Sequence, residues 1–140
     1  MATTVSEALV ELGITEWVLR GEPTKAEEFN AMFRKVTGAD ANGSAIETSN
    51  PAMWGGVTWQ KVSEKMAAMD AAAPMKELRR QRDAKLAETD WTANSDVTMS
   101  AAMKTYRQKL RDLPAHNNGK NAALNDDGTL KNVTWPKKPA

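Results

Sequence analysis

His116 is the only histidine among 140 residues, and the chain has no cysteine. The imidazole lies in the polar stretch Ala115-His116-Asn117-Asn118-Gly119 and has no neighbour suited to activate it, so it reads as a bystander, not a general base. Without cysteine there is no thiolate nucleophile, no thiolate metal ligand and no disulfide framework. Asp126-Asp127-Gly128 and Asp40-Ala41-Asn42-Gly43 lack the alternating oxygen ligands and terminal glutamate of a calcium loop, and both read as turns. No glycine-rich phosphate cradle and no nucleophile elbow occurs. The expectation is a non-enzymatic protein with no catalytic residues, no metal ligands and no cofactor.

Binding is the remaining chemistry. Lys76, Arg79, Arg80, Arg82 and Lys85 crowd one short stretch that also holds Glu77 and Asp83. Arg79 and Asp83 are spaced to pair along a helix, and no aromatic residue interleaves the basic ones as a single-strand binder requires. The formal charge of the whole chain is +1. A solvated or partner-facing helix face is therefore favoured over a nucleic-acid surface. No apolar run reaches the length of a membrane span, and the N-terminus lacks signal-peptide character, which leads to the expectation of a chain without membrane contact, made and kept in the cytoplasm.

These residues need a scaffold, and 41% apolar content is enough for one modest core. Thr4 and Glu7 form a capping-box signature ahead of Val5, Ala8, Leu9 and Leu12, which predicts a short helix ending at Gly13. Ile14 to Arg20 is β-branched and aromatic, consistent with a strand or an irregular connector. A second capping box, Thr24 with Glu27, precedes Phe29, Met32, Phe33 and Val36, a stripe that predicts a helix running to Gly38. Residues 39 to 56, with Gly43, Gly55 and Gly56, read as a loop.

From Val57, the spacing of Trp59, Val62, Met66 and Met69 predicts a helix that Pro74 ends or kinks, followed by a new helix over Pro74 to Thr89 bearing Met75, Leu78 and Leu86. After a polar loop, Met99, Met103, Tyr106, Leu110 and Leu113 predict a last helix stopped by Pro114. The short connection favours an antiparallel hairpin in which Leu86 lies near Met103, Leu78 near Leu110 and Arg82 near Tyr106. Met66, Met69, Met99 and Met103 fall on seams, where they suit either a surface that repacks against a partner or ordinary core filling. Residues 115 to 140 read as a polar tail with a small hairpin signal at Asn125-Asp126-Asp127-Gly128, ending in Trp135-Pro136. The expected architecture is mainly α, a small helical domain with a minor β element and an extended C-terminal tail. The expected divisions are a helical module with a glycine-rich loop over 1–56, a helical hairpin region over 57–114 and the tail over 115–140.

Arg79, Arg82, Asp83, Leu86, Thr89, Asp90 and Trp91, then Tyr106-Arg107-Gln108 with Leu110-Arg111-Asp112-Leu113-Pro114, then Trp135-Pro136 with Pro139, resemble the pattern of phage tail assembly chaperone proteins and the related ends of tail-fibre assembly proteins. The resemblance covers about residues 75 to 140. It implies a bacteriophage accessory protein that binds tail or tail-fibre subunits, either in the host cytoplasm during assembly or as a part retained in the particle. A structural virion component, such as a small tail, baseplate or fibre-attachment part, stands as the alternative and a nucleic-acid-binding module ranks below it; a homo-oligomer is compatible with each. Candidate partner-binding residues are Arg79, Arg82, Asp90, Trp91, Arg107, Trp135 and Pro136. Of these, Trp91 is expected to fold back onto the core in preference to facing a partner. Arg107 is expected to point away from the seam, toward Asp90 or a partner carboxylate. For Trp135, docking into a groove and disorder are weighed equally.

Overall fold

A computed structural model describes residues 2–140. The chain is mainly helical and forms two compact units, Ala2–Ala71 and Ala72–Ala140. In the first, α1 (Val5–Glu11) is opened by the expected capping box: Glu7 N–H donates to Thr4 Oγ1 and Thr4 N–H to Glu7. The strand β1 (Trp17–Leu19) follows, and then α2 (Ala26–Met32). The second capping box does not form. Lys25 is the N-cap of α2 and makes no side-chain cap bond, while Thr24 bonds to Glu28 instead of Glu27.

The helix expected to run to Gly38 ends at Met32, and Phe33–Ala39 is a strand, β2. It pairs antiparallel with β1, placing Leu19 opposite Phe33, and with β3 (Ala45–Thr48), the register shifting between Val36 and Gly38. Thus the stretch expected to be loop contains β3. Asp40–Gly43 is the turn between the two strands, as its composition suggests. Asp40 Oδ1 accepts from Asn42 N at 2.8 Å and Ser44 N at 3.0 Å, and Gly43 takes φ 82°, which favours glycine.

The core of this unit is aromatic. Phe29 and Phe33 stack with centroids 5.0 Å apart, and Trp54 meets Phe33 edge-on at 4.9 Å. Val5, Ala8 and Leu9 from α1, with Val57 and Val62, complete the cluster, and Trp59, Met66 and Met69 pack on it. The seam from Trp59 to Met69 is therefore core.

Pro74 does not end the helix. The helix α3 runs from Trp59 to Thr89 through it. Proline removes one backbone bond and crowds the preceding turn, at about 3 kcal/mol in a helix interior. The neighbours Ala71, Ala72 and Ala73 have the strongest helix propensity and the smallest side chains, which offsets part of that cost. The division between the two units falls here, between Ala71 and Ala72.

In the second unit α4 (Ala101–Asp112) is capped by Ser100, whose side chain accepts from Met103 N. Its inward face, Met103, Tyr106 and Leu110, packs with Leu86, Met99 and Trp135. Residues 115–140 belong to this unit. They form the two-stranded β4 (Ala123–Leu124) and β5 (Leu130–Lys131), with Leu124 opposite Leu130 across the Asn125–Gly128 turn. Gly119 is needed for close approach, because a Cβ there would collide with the carbonyl oxygen of Leu113.

Candidate partner-binding site

Arg107 lies on the buried side of α4, not pointing away as the stripe suggested, and is only 7% exposed. Its Nη1 donates to the Leu86 carbonyl at 2.9 Å and to Thr89 Oγ1 at 2.7 Å, and its Nη2 to Asp90 Oδ1 at 2.9 Å. The contact with Asp90 is the one the sequence offered. The contacts to Leu86 and Thr89 were not legible, since a threonine at a helix end signals capping equally well. The planar fork suits this task, because one guanidinium serves the Leu86 carbonyl and the Thr89 hydroxyl in the last turn of α3 and orients the acid that follows them.

The turn so fixed is Asp90–Ala93. Thr92 is buried under it, with its hydroxyl donating to the Thr89 carbonyl at 2.6 Å. Trp91 faces the other way and is 59% exposed. The expectation that it folds onto the core is overturned: Met103, Tyr106 and Leu110 already receive an indole from the tail, that of Trp135. Trp135 is thus docked on its own unit, with Lys85 Nζ 5.0 Å from its ring centroid. Pro136 is half-buried beside it.

Charge pairing on α3 also departs from expectation. Asp83 accepts from Arg82, at 2.9 and 3.0 Å, instead of Arg79. Glu77 accepts from Arg80 and Gln81, and Arg80's guanidinium foremost holds its carboxyl down at about 2. Among the described residues the Arg79 guanidinium has neither a hydrogen bond nor an ion pair within the chain, and neither has that of Arg111. Arg79, Arg82 and Arg111 line one open concavity together with Asp112, Pro114, Ala115 and His116. The candidate residues therefore separate into two sets. Arg107, Trp135 and Pro136 build the unit, whereas Trp91, Asp90, Arg79 and part of Arg82 remain accessible.

Residues 75–140, wholly within this unit, match the family model of the phage tail assembly chaperone protein. No curated protein and no solved structure matches the chain. No helix of the described residues is long and apolar enough to cross a membrane.

Proposed function

We propose that this protein is a non-enzymatic phage accessory factor that binds a tail or tail-fibre subunit in the host cytoplasm while the tail is built, with Trp91 as its principal anchor. The observation that carries this reading is the exposed indole on a turn held by Arg107. A large aromatic side chain left in water has no stabilising role in its own fold, but it supplies apolar area to an interface at little entropic cost when its backbone is already fixed. The family match of residues 75–140 supports the tail setting.

Trp91→Ala should change the stability of the isolated chain by less than about 0.5 kcal/mol, as expected for a surface substitution. It should weaken binding to the cognate subunit by about 2 kcal/mol, a loss of about thirtyfold in affinity. Pairwise affinity measurements of the chain against each purified tail and tail-fibre protein of the same phage give both numbers. Full affinity in the Trp91→Ala variant removes Trp91 as the anchor, and wild-type binding to none of these proteins removes the function.

A further inference from the structure

We infer that the concavity lined by Arg79, Arg82 and Arg111 is a carboxylate-binding site, and that the partner presents an acidic segment to it. This rests on the binding function proposed above and adds the chemistry of the partner. Two observations carry it. Three guanidiniums share the lining with a single carboxylate, that of Asp112, which already accepts from Gln108 Nε2 at 3.0 Å. The acid that sequence spacing would assign to Arg79, Asp83, is taken instead by Arg82, so that of the three lining arginines Arg79 and Arg111 keep unused forks.

Guanidinium forks match carboxylates in bidentate geometry, and several around one hollow favour a compact acidic group. His116 adds a donor at the rim. Its Nδ1 accepts from Asn118 N at 3.1 Å, so the neutral ring carries its proton on Nε2. A nucleic-acid strand fits less well, because no aromatic side chain lines the hollow for base stacking.

The test is titration of the full chain with a blocked tetraglutamate peptide, a single-stranded oligothymidine and inorganic phosphate, at low and at moderate salt. The peptide should bind more tightly than the oligonucleotide or phosphate. Its affinity should fall about three- to tenfold in Arg79→Gln and in Arg111→Gln, and should weaken with salt. Lys137→Gln, outside the hollow, should bind as the wild type does. Peptide binding equal in wild type and both arginine variants, no peptide binding, or preference for the oligonucleotide or phosphate each overturns the carboxylate site. Circular dichroism of the variants guards against misfolding, and Arg79→Lys, which retains charge but not the fork, should bind between wild type and Arg79→Gln. Failure of the tail-binding function is read separately, from the subunit affinities, and leaves the peptide result standing.

Discussion

Phe33→Ala should cost the N-terminal unit about 3–5 kcal/mol, the range for truncating a fully buried aromatic residue. Phe33 is completely buried, stacks on Phe29, meets Trp54 edge-on and lies 6.5 Å from Trp17, centroid to centroid. It is also the first residue of β2 and pairs with Leu19, so its removal leaves a cavity where sheet and helices share one cluster. Aromatic pairs contribute beyond their buried area, which places this site at the upper end of core truncations. Phe33→Leu, which retains most of the volume, should cost about 1.5 kcal/mol or less. Urea denaturation of the two variants measures both values. A loss below about 1 kcal/mol for Phe33→Ala would mean that the aromatic cluster does not hold the unit together.

Arg107→Met should destabilise the C-terminal unit by about 2–4 kcal/mol. The substitution keeps much of the apolar stem but removes three donated hydrogen bonds, to Leu86, Thr89 and Asp90. Bonds involving an ionised group contribute about 1.5–3 kcal/mol each, but those sharing one side chain do not add fully. Asp90 is 64% exposed at its side chain and can be rehydrated, so most of the loss belongs to the Leu86 carbonyl and the buried Thr89 hydroxyl. Arg107→Lys should recover little, because an ammonium on a flexible stem cannot serve these acceptors in the fork's fixed geometry. Since the turn carrying Trp91 hangs on this contact, both variants should also weaken subunit binding, unlike Trp91→Ala, which affects binding alone. Denaturation midpoints set beside subunit affinities separate the two effects. Equal stability of Arg107→Met and wild type would mean that the fork does not hold the turn.

What was legible in the sequence was what local chemistry decides. Thr4 with Glu7 specified α1 because both partners of that cap are three residues apart. The Asp40–Gly43 and Asn125–Gly128 turns were legible for the same reason. The switch from α2 to β2 was not, because Phe29, Met32, Phe33 and Val36 suit a helical stripe as well as a helix followed by a strand. Pairing with β1 and β3, distant in sequence, decides between them. Pro74 misled in the opposite direction: a strong local stop signal was overridden within an alanine-rich helix.

At the candidate site, the C-terminal pattern pointed to the family whose model residues 75–140 match. It did not reveal which residues are packed and which stay exposed. Trp91 and Trp135 are both tryptophans beside polar stretches, and only tertiary packing settles that Trp135 fills the place beside Met103, Tyr106 and Leu110 while Trp91 stays in water. Likewise Arg79 and Arg82 stand on one helix with Asp83 in reach of either, and the side-chain geometry gives it to Arg82. Arg111, on another helix, joins them only because the fold brings the end of α4 beside α3 at the concavity.

The measurement that bears most directly on the central claim is quantitative mass spectrometry of purified virions and of infected-cell lysate resolved by complex. An assembly-stage binding factor predicts that the chain is missing from mature particles and is recovered from the lysate bound to a tail or tail-fibre subunit, with the complex weakened in Trp91→Ala. A reproducible, symmetry-compatible copy number in the mature virion would contradict this and make the chain a structural component of the tail.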